Sequence, residues 1–141
     1  MAKIAVVYWS MTGNTEAMAK AVADGAKNAG AQVDLIEASE FSADKMDSYD
    51  AIGFGCPAMG AEVLEEEQFE PMFTACESKL NGKKIALFGS YDWGDGEWMR
   101  NWEDRCKAAM ANMVCEFVIC NLAPDANGIS ACEKLGAALV S

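Results

Sequence analysis

The residues best suited to chemistry lie in one short loop between an apolar run and a helical pattern, Ser10-Met11-Thr12-Gly13-Asn14-Thr15. Backbone N–H groups at a helix N-terminus lack partners and carry partial positive charge, so such a loop suits an anion. Its hydroxyl and amide side chains add donors. The loop has no Lys or Arg, so neutral groups would hold a phosphate. The alternative is that Thr12 or Asn14 only caps the helix.

Two further irregular loops each supply one large apolar or aromatic side chain. They are Cys56-Pro57-Ala58-Met59-Gly60-Ala61-Glu62 and Ser90-Tyr91-Asp92-Trp93-Gly94-Asp95-Gly96. Met59 and Trp93 facing each other across a cleft would suit a planar ring, because aromatic groups stack and methionine fills irregular gaps. The alternative is that Trp93 covers the sheet edge and Met59 belongs to the core.

The pattern of apolar runs predicts which elements position these loops. Strands are predicted at 3–9, 32–37, 51–55, 83–89 and 114–122, and helices at 13–29, 65–76, 97–111 and 129–140. This alternation predicts a single α/β domain over residues 1–141, a three-layer, doubly wound, five-stranded parallel sheet. Ligands of such folds bind at the carboxyl ends of the strands, so the loops after strands one, three and four should converge.

The net charge of −11 disfavours nucleic acid as a partner and favours a protein with a basic docking patch. Acidic residues crowd one segment that has no Lys or Arg nearby: Glu62, Glu65, Glu66, Glu67 and Glu70. This segment is either a docking surface or a solvated helix start, which the helix dipole favours.

The chain contains no His, which excludes Ser-His-Asp and Cys-His catalysis, and its six cysteines form no C-x-x-C pair. We therefore expect no metal site, and buried free thiols in a reducing compartment. Cys56, at a loop mouth, is a minor candidate for thiol chemistry. No apolar run is long enough for a membrane span and no signal-peptide pattern is present, so we expect a cytoplasmic protein without a membrane partner.

Other doubly wound nucleotide-binding proteins and enzymes require motifs that are missing here. The P-loop string G-x-x-x-x-G-K-[ST] does not occur, and only Gly13 of a G-x-G-x-x-G pattern follows the first strand. A small phosphatase would need a nucleophilic Cys where Ser10 stands. A response-regulator receiver would need an Asp where Gly55-Cys56-Pro57 ends the third strand.

Three strings together resemble a known family. Tyr8-Trp9-Ser10-Met11-Thr12-Gly13-Asn14-Thr15-Glu16 is similar to the phosphate loop of the flavodoxins. Met59-Gly60-Ala61-Glu62-Val63-Leu64-Glu65 and Gly89-Ser90-Tyr91-Asp92-Trp93-Gly94-Asp95-Gly96 resemble the two flavin-ring loops of that family. The likeness covers nearly the whole chain and is closest to the short-chain clostridial type, since no long insertion splits the fifth strand.

The resemblance implies non-covalently bound FMN and low-potential one-electron transfer in place of ferredoxin, without catalytic residues. Ser10 through Thr15 would bind the phosphate, Trp93 would stack on one ring face, and Met59 would cover the other. Glu62 would accept a hydrogen bond from the flavin N3–H. The implied ring-binding residues are Pro57, Ala58, Met59, Gly60, Ala61, Glu62, Gly89, Ser90, Tyr91, Asp92, Trp93 and Gly94, and backbone N–H groups around Asp92 and Trp93 would meet N1 and O2.

In this family the peptide after the Gly of the Met-Gly loop turns over on reduction, which corresponds here to Gly60–Ala61. Its carbonyl would then accept from N5–H of the semiquinone. A second reduction would place negative charge near N1. The acidic residues Asp92, Asp95, Glu62 and the run Glu65–Glu67 oppose this charge, which would make the hydroquinone hard to form and strongly reducing. Two residues depart from the family pattern: Ala61, where a polar residue or Gly is frequent, and Asp92, where Gly is frequent.

Two other functions remain open from the sequence. An FMN-dependent quinone reductase would need a substrate pocket over the ring, which Met59 and Trp93 are expected to close. A binding module without flavin is disfavoured by the intact loops. For a carrier we expect a monomer that docks to basic patches of redox proteins.

Overall fold

The computed structural model describes residues 2–60 and 62–141. The elements in chain order are β1 (Lys3–Tyr8), α1 (Asn14–Asn28), β2 (Gln32–Glu37), β3 (Ala51–Gly55), α2 (Phe69–Glu77), β4 (Lys84–Tyr91), α3 (Glu97–Ala108), β5 (Asn112–Met113), β6 (Val118–Asn121) and α4 (Ala126–Val140). Two short 3₁₀ helices, Ala38–Glu40 and Ala43–Ser48, lie between β2 and β3.

One parallel sheet organises these elements in the order β2-β1-β3-β4, and β5 and β6 both pair with β4 at the far edge. Side chains of β1 alternate between the two faces, with Ala5 and Val7 in one core and Ile4 and Val6 in the other. Helices α2 and α3 cover the first core and α1 and α4 cover the second. The predicted three-layer, doubly wound α/β architecture is therefore confirmed.

The two helices on the second face approach each other through glycines. A Cβ at Gly25 would lie 2.0 Å from the carbonyl oxygen of Glu133, and one at Gly136 would lie 2.0 Å from that of Val22. These distances leave no room for a side chain at either position. Helix α1 is therefore seated backbone-to-backbone on α4.

The predicted fifth strand, 114–122, pairs with β4 only in its second half, as β6, and the two-residue strand β5 lies before it. β5 and β6 are in different registers with β4: Met113 lies opposite Ile85, whereas Val118 lies opposite Phe88. Four residues, 114–117, thus span the gap that two residues, 86–87, span in β4, and the ladder cannot continue across such a bulge. The predicted strand start at 114 was therefore wrong: β6 begins at Val118, and the short strand at Asn112–Met113 was not predicted.

Two helices have different ends from those predicted. Helix α3 stops at Ala108 because Met110 adopts a left-handed φ of 66° and the N–H of Ala111 bonds back to the carbonyl of Cys106, as in a Schellman motif. Helix α4 begins at Ala126, three residues earlier than predicted, because the Asp125 carboxylate accepts from the N–H of Gly128 at 2.8 Å.

Within the described part of the chain, none of the helices combines the length and apolar character that crossing a membrane requires.

Candidate functional site

A cleft opens at the carboxyl ends of β1, β3 and β4, where the three predicted loops meet. Its lining residues are Ser10, Met11, Thr12, Thr15, Pro57, Ala58, Met59, Gly60, Glu62, Ser90, Tyr91, Asp92 and Trp93. The lining includes two carboxylates and no Lys or Arg. The predicted convergence of the loops is confirmed.

The other predicted site residues lie beside the cleft rather than on its surface. Gly13 precedes α1 with a φ of 97°, and Asn14 is the first residue of that helix. Gly89 lies inside β4, where a Cβ would approach the carbonyl oxygen of Cys56 to 2.2 Å. Gly94 lies against the carboxylate of Glu62. Ala61 is outside the described residues.

The first loop is organised by the hydroxyl of Ser10, which accepts from the N–H groups of Gly13 and Glu16, both at 3.2 Å. Neither Thr12 nor Asn14 caps the helix. The described residues provide no acceptor for the N–H groups of Thr12 and Asn14. Because Ser10 Oγ accepts twice, its own hydrogen stays available for donation. The loop therefore keeps several neutral donors unpaired within a few residues of one another at the start of α1, as an anion site requires.

Thr15 behaves differently from the other hydroxyl residues of this loop. Its side chain is buried and its Oγ1 lies 3.4 Å from Ser90 Oγ and accepts from the N–H of Ser90 at 3.3 Å. It thus joins the start of α1 to the end of β4, which the sequence did not indicate.

The second loop is closed by two hydrogen bonds between Met59 and Val63. The N–H of Met59 donates to the carbonyl of Val63 at 2.8 Å, and the N–H of Val63 donates back at 3.0 Å. Gly60 and Glu62 both have a left-handed φ, 50° and 55°. A left-handed φ is uncommon for a residue other than glycine. The closed loop therefore imposes this backbone conformation on Glu62.

Glu65 has a different role from the one predicted. Its side chain is 6% exposed, and its carboxylate accepts from the N–H groups of Glu67, Gln68 and Phe69 at 2.7–2.8 Å. Gln68 is the N-cap and Phe69 the first residue of α2, so two of these donors are ones that a helix leaves unpaired at its N-terminus, and the third lies in the turn before it. The predicted helix start at 65 was therefore wrong: α2 begins at Phe69, with Pro71 in its first turn.

The third loop is held by the last residue of β6 and the residue after it. The Asn121 amide donates to the carbonyls of Tyr91 and Asp92 at 3.2 and 3.3 Å, and the N–H of Leu122 donates to Tyr91 at 2.8 Å. Trp93, at the tip, is 64% exposed. The loop backbone is therefore fixed, while the indole is presented at the surface of the cleft.

Further hydrogen bonds connect the loops to one another. Trp9 Nε1 donates to the side-chain oxygen of Gln68 at 3.0 Å, and the N–H of Ala58 donates to the carbonyl of Ser90 at 3.1 Å. Sequence reasoning missed Trp9, Gln68 and Asn121. Their partners are distant in the chain, and no local pattern marks them.

Cys56 is not suited to thiol chemistry. It is fully buried, and this burial raises the pKa of its thiol well above the ordinary value. A thiol that stays protonated is a poor nucleophile. Its sulfur accepts a hydrogen bond from the N–H of Glu65 at 3.4 Å, so Cys56 has a packing role beneath the second loop.

Together the fold and the cleft define a class: small doubly wound α/β proteins that bind a phosphate-bearing planar ring at the carboxyl edge of the sheet. The flavodoxin family model matches residues 6–136. The flavodoxin of Megasphaera elsdenii is 44% identical over 135 residues, covering 96% of each chain. That of Clostridium beijerinckii is 51% identical over 100 residues, covering 71% of this chain and 72% of that protein.

Solved structures agree with this assignment. The solution structure of two-electron reduced Megasphaera elsdenii flavodoxin superimposes with a TM-score of 0.89 at 45% identity, over 97% of this chain and 98% of that one. The chain belongs to the flavodoxin family, the FMN-binding electron carriers.

Proposed function

We propose that this protein is a low-potential one-electron carrier that docks to redox enzymes in place of ferredoxin. When bound, FMN supplies the redox chemistry by cycling between its one- and two-electron-reduced states. The observation that carries the proposal is the convergence of a neutral anion loop, Met59, Trp93 and the carboxylate of Glu62 on one cleft.

The phosphate end of the cofactor would be held by the first loop. The N–H groups of Thr12 and Asn14 and the hydroxyl of Ser10 have donor capacity that the described residues leave unused. Neutral donors at a helix N-terminus stabilise a phosphate without a counter-charge. This arrangement leaves the acidic character of the protein undiminished around the cofactor.

The ring end would be held between Met59 and Trp93, with backbone groups around Asp92 and Trp93 toward N1 and O2. Glu62 fits the imide N3–H of a flavin, because its Oε1 is buried and finds no hydrogen-bond partner among the described residues. A buried acceptor without a donor is unfavourable until a ligand supplies one. The role of the Gly60–Ala61 peptide toward N5 stays a prediction from the resemblance, since Ala61 lies outside the described residues.

The charges near the cleft support a low potential for the second electron. Glu62 and Asp92 line the cleft, and negative charge disfavours a further negative charge nearby. Two predicted contributors are weaker than expected, because Asp95 pairs with Arg100 at 3.0 Å and Glu65 is satisfied by three N–H groups. We assign the effect chiefly to Asp92, Glu62 and the net charge.

We further propose that partners dock through basic patches, steered by the net charge of −11. Reduction by such a partner should slow as ionic strength rises, because salt screens the attraction. The six free cysteines support a reducing compartment, the cytoplasm, as its location.

Photoreduction of the purified holoprotein, followed by its visible spectrum, tests the proposal. We expect the long-wavelength absorbance of one-electron-reduced flavin to accumulate before the second electron is accepted. Direct passage to the two-electron-reduced state would instead indicate a two-electron reductase. A colourless protein that takes up no added FMN would refute the cofactor assignment for this chain.

A further inference from the structure

The carboxylate of Glu62 is enclosed by a residue from another loop. Glu62 belongs to the loop after β3, whereas Gly94 belongs to the loop after β4. A Cβ placed on Gly94 would lie 1.9 Å from Glu62 Oε1 and 2.6 Å from its Cδ. The carboxylate therefore fills the space that any side chain at position 94 would occupy.

Glu62 is shared by two cavities. It lines the main cleft and also a smaller cavity, which is bounded by Trp98, Trp102 and Arg105. Its Oε1 is buried, and none of the described residues donates to it. The backbone of Gly94 lies on one side of this carboxylate, so a side chain at position 94 would force the carboxylate to move.

We propose that Gly94 is a positioning residue: by lacking a side chain, it lets the Glu62 carboxylate stay at the edge of the cleft and recognise a ring with an imide N–H. This inference rests on the proposed function, in which Glu62 accepts from the flavin N3–H. A glutamate side chain is flexible, and holding it in its binding geometry before the ligand arrives lowers the entropy cost of recognition.

A substitution at Gly94 should affect ligand recognition more than folding. The atoms that a Cβ at position 94 would meet are the far end of a flexible side chain, so Gly94→Ala displaces the carboxylate without disturbing backbone. The remaining cost is that of an L-residue at a φ of 88°. Gly82 is the matched control, with a φ of 75° and open space around a Cβ, in the turn between α2 and β4.

The test compares the affinities of the full chain, stripped of flavin, for FMN and for N3-methyl-FMN, which lacks the imide proton. Quenching of flavin fluorescence gives both dissociation constants. We expect wild type and Gly82→Ala to prefer FMN by tenfold or more, as for loss of a hydrogen bond to a charged acceptor. Gly94→Ala should bind FMN about tenfold more weakly and should lose most of the preference. Both affinities come from one preparation, so an unfolded fraction cancels in their ratio.

Glu62→Ala distinguishes the failure of this inference from that of the proposed contact. If Glu62→Ala loses the preference for FMN but Gly94→Ala keeps it, Glu62 recognises N3–H and Gly94 does not position it. If wild type shows no preference, the Glu62 contact is absent and the inference falls with it. In the Glu62→Ala background, Gly94→Ala should have no further effect on the preference.

Discussion

Replacing Glu65 with alanine should destabilise the protein far more than removing the charge of a neighbouring glutamate. The buried carboxylate accepts three backbone N–H groups at 2.7–2.8 Å. Two of these belong to the exposed residues Glu67 and Gln68, whose donors can turn to water after the substitution. The third belongs to Phe69, which is fully buried, so its N–H would lose its partner without gaining water.

The magnitude follows from these three donors. Loss of a side-chain cap costs about 0.5–2 kcal/mol, and a buried donor left unpaired costs about 1–3 kcal/mol. The two costs overlap at Phe69, so we expect Glu65→Ala to lower the free energy of unfolding by about 2–3 kcal/mol. Glu65→Gln should cost about half as much, because its carbonyl oxygen can still accept while its NH₂ group faces an N–H group.

Urea unfolding of the flavin-free chain, followed by circular dichroism, measures these differences. Glu66→Ala is the control, since it removes the same charge from an exposed side chain, and we expect a change within about 0.5 kcal/mol. FMN affinity should also fall in Glu65→Ala, because Glu65 lies two residues after the closed Met59–Val63 loop and its N–H donates to Cys56 beneath that loop. Equal destabilisation by Glu65→Ala and Glu66→Ala would refute the capping role and leave only a charge effect.

Three further results are expected. Asp92→Gly should raise the midpoint potential of the second reduction step by roughly 20 mV, as for a carboxylate about 10 Å away in water; spectroelectrochemistry measures this, and a fall would contradict it. Arg105→Met should lower stability by about 1–2 kcal/mol at pH 7. Burial alone would raise the pKa of Glu70, but hydrogen bonds from Arg105 and Thr74 lower it on balance. The stability difference between wild type and Arg105→Met, measured by urea titration, should therefore shrink as the pH falls below about 4 and Glu70 becomes protonated. Native alkylation should modify the half-buried Cys115 before the other thiols, which are buried, and peptide mass spectrometry showing early labelling of a buried thiol would be inconsistent with this packing.

The type and order of the main elements could be predicted because their signals are local. Apolar runs indicated most of the strands, and the first helix was predicted to within one residue at each end: 13–29 against Asn14–Asn28. A helix that started at 65 would have had Pro71 in its second turn and would have needed a kink there, whereas in α2 Pro71 lies in the first turn, where proline is tolerated. The burial of the Glu65 side chain was not predictable, because nothing in the sequence distinguishes it from the neighbouring glutamates. Only the fold brings unpaired N–H groups within reach of its carboxylate.

In the candidate site, too, features with a local sequence signal could be predicted and features that depend on tertiary packing could not. The three loops could be placed at one edge of the sheet because parallel topology brings the carboxyl ends of strands together. The contacts that fix them, from Asn121 to Tyr91 and from Trp9 to Gln68, join residues far apart in the chain. The pairing of Glu62 with Gly94 belongs to this second group, because it depends on the packing of two loops and on no motif in either.

The glycine contacts between α1 and α4 join an early part of the chain to a late one. During synthesis on the ribosome, β1 and α1 emerge well before α4, so the face of α1 that packs on α4 stays uncovered until α4 leaves the exit tunnel. Packing between elements so far apart in the chain forms slowly, and the apolar surface of α1 that α4 later covers is exposed until then. Because the loop Ser10–Thr15 leads into α1, we expect its final placement, and any capture of FMN by a nascent chain, to follow the docking of α4.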